Sequence, residues 1–114
     1  MSDVRPTVSV CMLTYNQEKY VRQAIDGVLS QDANFDIEIV VGDDASTDGT
    51  AAVCSEYSER GDRVRVFRRE RNLGVAENFR LTLNECNGEF VAICEGDDYW
   101  TDPAKLQHQV DLLR

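Results

Sequence analysis

Two short stretches carry most of the reactive side chains: Gly42-Asp43-Asp44 and Cys94-Glu95-Gly96-Asp97-Asp98, each directly after an apolar run. Carboxylates at that density repel one another unless a positive charge sits among them. The chain has one histidine, and its four cysteines form no C-x-x-C pair, so a common zinc site is not available. Oxygen donors alone suit a hard divalent cation, Mg2+ or Mn2+. Such an ion takes one or two protein carboxylates and fills its remaining positions with phosphate and water. The implied chemistry is the handling of a diphosphate, whose charge on departure the metal stabilises. Gly96 leaves the loop without a side chain where a phosphate would approach. A single Asp-Asp after a strand is more often a solvated turn or a helix cap. Its recurrence at two strand ends, with Glu95 beside the second, favours a site. Tyr99 and Trp100 follow at once and read more readily as packing residues than as a sugar platform.

These groups need elements to position them, and the chain alternates apolar runs with amphipathic stretches. Residues 7–14, 37–41, 64–67 and 89–94 read as strands. Between them, residues 17–31 carry Val21, Ile25, Val28 and Leu29 on one helical face, with Asn16 as N-cap. Ser46-Thr47-Asp48 offers caps for a second helix with Val53, Cys54 and Tyr57 inward, closed by a left-handed Gly61. Residues 75–86 place Val75, Phe79, Leu83 and Cys86 on one stripe, and Asp102-Pro103 opens a last helix with Leu106, Val110 and Leu113 inward. This βαβαβαβα order predicts an α/β fold, with a mostly parallel sheet of about four strands, helices on both faces and right-handed crossovers. Ligands of such sheets bind at the carboxyl ends of the strands. Thr14-Tyr15-Asn16, Asp43-Asp44, Asn72-Leu73-Gly74 and Glu95 to Asp98 are all expected at that one edge.

Length and composition set outer bounds. At 114 residues, 42% apolar and 29% charged, the chain suits one core. A net charge of −9 speaks against a nucleic-acid surface. No apolar run reaches membrane-spanning length, and the N-terminus lacks the pattern of a secretory signal. Cys11, Cys54, Cys86 and Cys94 read as free thiols in a reducing cytosol. There is no G-x-G-x-x-G after the first strand and no G-x-x-x-x-G-K, which weighs against a dinucleotide dehydrogenase or a P-loop enzyme.

Four ordered segments, VSVCMLTYNQEKYVRQAIDGVLSQ, IEIVVGDDASTDGT, RNLGVAENF and GEFVAICEGDDYWTDPAKLQHQV, resemble the nucleotide-sugar-binding half of family 2 glycosyltransferases. The resemblance covers residues 7–113 and implies the Rossmann-like GT-A fold. Residues 1–114 are then expected to be the donor-binding part of a domain that continues beyond Arg114. The resemblance gives Thr14, Tyr15 and Asn16 a place along the nucleoside, with Tyr15 against the base. It makes Asp44 the acceptor for the uracil imide N–H and Asp43 a support for that loop. Asn72, Gly74 and Arg80 fall in the segment that closes over the nucleotide-sugar. Glu95, Asp97 and Asp98 match the acidic DXD-type motif, with Asp98, and Asp97 beside it, holding Mg2+ or Mn2+. Two departures stand out: Glu95 replaces the usual first Asp, and Glu77-Asn78-Phe79-Arg80 replaces a common Ala-Arg-Asn triplet, leaving Arg80 and Arg71 as candidate partners of the diphosphate.

The activity implied is inverting transfer of a sugar from a nucleotide diphosphate, most simply UDP, to a hydroxyl of a glycan or lipid-linked glycan. Cell-envelope polysaccharide synthesis at the cytoplasmic face of the membrane is the expected setting. In this family the general base lies in the acceptor-binding half, so no catalytic residue is expected within residues 1–114, and self-association through uncovered apolar surface is. The alternative is a non-enzymatic, Mg2+-binding, receiver-like signalling module. That reading needs an Asp ending the third strand and a Lys ending a fifth; the third strand here runs into Phe67-Arg68-Arg69, and no fifth is seen. A nucleotidyltransferase would place a Gly-rich basic loop where Tyr15-Asn16-Gln17-Glu18 stands.

Overall fold

A computed structural model of the chain describes residues 5–61, 63–98 and 100–114. Tyr99, one of the two aromatic residues after the acidic cluster, lies outside them. Eight elements alternate along the chain: β1 (Val8–Thr14), α1 (Val21–Leu29), β2 (Ile37–Asp43), α2 (Thr50–Glu59), β3 (Val64–Arg68), α3 (Val75–Asn84), β4 (Phe90–Glu95) and α4 (Lys105–Leu113). The strands form one parallel sheet in the order β3-β2-β1-β4. Val8 stands opposite Ile37 on one side and Phe90 on the other, and Ile39 stands opposite Val64.

Side chains alternate across a strand, so this register sorts the residues into two faces. Val8, Val10 and Met12 of β1, Ile37, Ile39 and Val41 of β2, and Cys94 of β4 point to one face. There they meet Val21, Ile25 and Val28 of α1, Cys54 and Tyr57 of α2, and Leu106 and Val110 of α4 in a single apolar cluster. Trp100 packs against the same cluster. Its backbone fits because Gly27 has no side chain; a Cβ there would lie 3.3 Å from the Trp100 carbonyl. Burial of each aliphatic side chain in this layer contributes about 1.5–3 kcal/mol.

Among the described elements α3 covers the other face, which buries Cys11 and Val40 but also a polar network. Ser9 donates to the Glu38 carboxylate. Glu38 also accepts from the Asn87 amide at 2.8 Å and from Arg65 at 3.1 Å. The Ser9 hydroxyl accepts from the Gly88 amide at 2.7 Å. α3 presents Asn78 and Thr82 to the sheet, and Gly42 makes room for them, since a Cβ there would collide with the Thr82 hydroxyl. The expected Val75-Phe79-Leu83 stripe is therefore not the buried one: Val75 is 76% exposed and Leu83 is exposed. Over β4 this face stays open, leaving Ile93 57% exposed.

Helix ends also depart from expectation. Asn16 is not the N-cap of α1: it adopts φ 51°, residues 18–20 form a turn, and the helix starts at Val21 behind Tyr20. Its side chain is taken elsewhere, accepting from the Thr47 amide at 2.8 Å. α2 ends on a right-handed Arg60, and Gly61 is not left-handed. Asp102 accepts from the Ala104 amide at 2.9 Å and caps a turn that precedes α4, so the helix starts at Lys105; Leu113 points to solvent.

Candidate functional site

β1 lies between β2 and β4, so its end joins the two acidic loops. The Asp44 amide donates to the Thr14 carbonyl at 3.0 Å, and the Gly96 amide donates to the Leu13 carbonyl at 2.8 Å. The approach at Gly96 is close to protein rather than open: a Cβ there would sit 2.6 Å from the Thr14 hydroxyl. A cleft of about 140 Å3 opens at this edge, and Thr14, Tyr15, Asp44 and Glu95 line it together. Gln17 and Asn78, which the sequence reading did not single out, line it too. Gln17 accepts from the Thr14 hydroxyl at 2.8 Å. A larger depression, about 680 Å3, lies at the amino edge beside Pro6, Phe35, Arg63 and Asn87. It too carries two carboxylates, Asp36 and Glu38, but it lies at the amino ends of the strands, whereas ligands of such sheets bind outside the carboxyl ends, so the smaller cleft is the better candidate.

The expected residues occupy distinct positions around the cleft. Asp44 is buried, and its two carboxylate oxygens accept from the Leu73 amide at 2.7 Å and the Gly74 amide at 3.0 Å. Asn72 donates to the Asp44 carbonyl at 3.3 Å. Asp44 thus ties down the loop that precedes α3, where Gly74 takes φ 88°, a conformation that favours glycine. A carboxylate has about four lone-pair sites, so two amides leave capacity for a further donor. Asp43 points the opposite way, into the α2 side, and does not line the cleft. Its Oδ1 accepts from the Ser46 amide at 3.2 Å and the Ser46 hydroxyl at 2.5 Å, while its buried Oδ2 has no partner among the described residues. Burial first, and the Asp43 charge second, push the Cys54 thiol up to about 12.

At the end of β4, Glu95 and Asp98 close a turn on each other. The Asp98 amide donates to the Glu95 carbonyl at 2.9 Å, and the Asp98 carboxylate accepts from the Glu95 amide at 3.0 Å. Glu95, Asp97 and Asp98 are all exposed. Their field reaches inward: Cys94 is pushed up to about 12, by burial first and then by Asp98. As donors these carboxylates suit a hard cation. Among the described residues, however, no three Asp, Glu, His or Cys side chains are gathered around one point. An ion would have to complete its shell from a ligand's oxygens.

The expected basic groups are not in the cleft. Arg80 pairs with Glu77 at the surface of α3, which holds the Glu77 carboxyl below its ordinary range. Arg71 is exposed. The cation behind the cleft is Arg69, which donates to the Asn78 side chain at 3.0 Å and to the Thr82 hydroxyl at 2.9 Å. Trp100 carries Lys105 over its ring at 4.7 Å and belongs to the core layer.

Known proteins place this architecture. A mannosyltransferase from Pyrobaculum calidifontis, solved with GDP-Man and Mn2+, superposes with a TM-score of 0.84 at 28% identity, over 97% of this chain and 33% of that one. Staphylococcus aureus TarS, solved with UDP-GlcNAc, gives 0.82 at 30% identity over 94% of this chain and 31% of that one. By sequence, the chain is 46% identical over 107 residues to a Mycobacterium tuberculosis protein described only as uncharacterised, covering 93% of the chain and 31% of that protein. It is 32% identical over 113 residues to a Bacillus subtilis protein described as a putative teichuronic acid biosynthesis glycosyltransferase, covering 99% and 44%. The chain thus spans between 31% and 44% of the length of these relatives. The model of the family described as glycosyl transferase family 2 matches residues 9–114, and the chain belongs to that family.

Proposed function

We propose that the chain is the donor-binding part of an inverting glycosyltransferase that uses a nucleotide-diphosphate sugar, with UDP as its nucleotide. The observation that carries this is the meeting of Asp44 and Glu95, far apart in sequence, in one cleft at the carboxyl edge. The ligands of the similar structures, UDP-GlcNAc in one and GDP-Man with Mn2+ in the other, support the reading.

In this reading Tyr15 stacks on the base, while Thr14 and Asn16 border the nucleoside. Asp44 accepts the uracil imide N–H with the capacity its two amide bonds leave. Asn72 and Gly74 form the wall closing over the diphosphate, with Arg80 released from Glu77 to reach it. Glu95 and Asp97 meet the ribose or the sugar. Mg2+ or Mn2+ would be held by Asp98 and Asp97, and when bound it supplies neutralisation of the charge on the departing diphosphate. The general base, which removes the proton of the acceptor hydroxyl, is assigned to none of these 114 residues, so the chain alone binds donor without transferring sugar. The acceptor we propose is a glycan or lipid-linked glycan at the cytoplasmic membrane face. No helix among the described residues is long and apolar enough to cross a membrane.

Calorimetry with UDP and GDP, in Mn2+ and in chelator, tests the proposal. Metal-dependent binding with preference for UDP is expected. Equal affinity in chelator would remove the metal assignment, and absence of nucleotide binding would remove the reading.

A further inference from the structure

The loop after β1 and the loop after β2 are laced together by hydrogen bonds running both ways. The Asn16 amide donates to the Ser46 hydroxyl at 2.9 Å, and the Thr47 amide donates back to the Asn16 side chain at 2.8 Å. The Gln17 amide donates to the Thr50 hydroxyl at 2.9 Å. One residue on, the Glu18 amide donates to Asp48 Oδ2 at 3.3 Å, and the Gly49 amide, at the start of α2, donates back to Glu18 Oε1 at 2.8 Å. The last pair has the reciprocal logic of a capping box, built across two loops. Glu18 also brings a carboxylate to a helix N-terminus, where negative charge is favoured.

This lacing holds backbone that would not hold itself. Asn16 at φ 51° and Ala45 at φ 60° are both left-handed without being glycine. Such conformations are costly for residues other than glycine and persist where surrounding bonds over-determine them. Between the end of β1 and the laced segment stands Tyr15, 47% exposed and so oriented by its backbone more than by packing. We infer that Glu18, through its bond to the Gly49 amide, is a positioning residue that sets Tyr15 for the nucleotide base. The inference rests on the donor-binding reading proposed above and adds to it a residue outside the cleft.

Gly49 provides an independent handle. A Cβ there would lie 2.7 Å from the Glu18 carboxylate, the far end of a flexible side chain that can move aside. Gly49→Ala therefore displaces Glu18 without altering it and without a collision in the fold. The experiment measures affinity for UDP and for ribose 5-diphosphate, which lacks the base, on the full chain in Mn2+. Glu18→Ala and Gly49→Ala are each expected to raise the Kd for UDP about tenfold while changing that for ribose 5-diphosphate less than about twofold. Glu18→Gln, which keeps an acceptor for the Gly49 amide, should restore UDP affinity, and the double variant should be no weaker than either single one. Equal weakening of both ligands, unchanged UDP affinity, or additive losses in the double variant would overturn the positioning role while leaving donor binding intact. Failure of the unaltered chain to bind UDP would overturn both.

Discussion

Asp43-Asp44 and Asp97-Asp98 are the same dipeptide at the ends of two strands that flank β1, yet the fold treats them oppositely. The first pair is buried, with three of its four carboxylate oxygens accepting hydrogen bonds from Ser46, Leu73 and Gly74. The second is exposed, and among the described residues its one side-chain hydrogen bond, from the Glu95 amide to Asp98, closes a turn. Identical residue types thus divide the work: one pair organises the loops, the other offers charge to whatever enters from solvent. The difference arises from what lies beside each strand end. β2 is flanked on both sides and has α2 and α3 against its faces, whereas β4 is an edge strand with one face open.

The comparison can be broken at either pair. Asp44→Ala removes the acceptor of two loop amides and should cost about 3 kcal/mol in chemical denaturation, together with most UDP affinity. Asp43→Ala strands the Ser46 amide and hydroxyl but removes a buried oxygen that has no partner among the described residues; about 2 kcal/mol of stability should be lost, with a smaller loss of UDP affinity. Asp98→Ala should change stability by under about 1 kcal/mol, yet abolish the difference between UDP titrations in Mn2+ and in EDTA. Glu95→Gln should leave the unfolding midpoint in place within about 0.5 kcal/mol and lower nucleotide affinity only modestly. If the Asp97-Asp98 side proved the more destabilising, the division of labour would be reversed.

The parallel sheet and the edge that gathers the acidic loops were legible because apolar runs of strand length and strand-end carboxylates are local signals; the apolar run of β4, which reads like a strand buried on both faces, instead leaves Val91 and Ile93 exposed. The inward face of α3 was not. Apolar periodicity looks for an apolar partner, and Val75, Phe79 and Leu83 supplied a clean stripe. The sheet beneath α3 carries Ser9, Glu38 and Arg65, which need hydrogen-bond partners, and Asn78 packs there in place of that stripe. Asn16 misled for a related reason: an Asn before a helix reads as a cap, but its oxygen serves Thr47, 31 residues away in sequence. Gln17 and Arg69 became visible only once β1, β3 and α3 were brought together. The one sequence signal that could have found Asn78 was Gly42, a glycine within an otherwise continuous apolar strand.

Residue-resolved amide NMR of the chain, titrated with UDP in a diamagnetic Mg2+ buffer, tests the placement of the nucleotide most directly. The Leu73 and Gly74 amides, bonded to Asp44, should shift together with Tyr15 and Gly96 at the carboxyl edge. Shifts confined to Phe35, Arg63 and Asn87, around the larger depression at the opposite edge, would contradict the account.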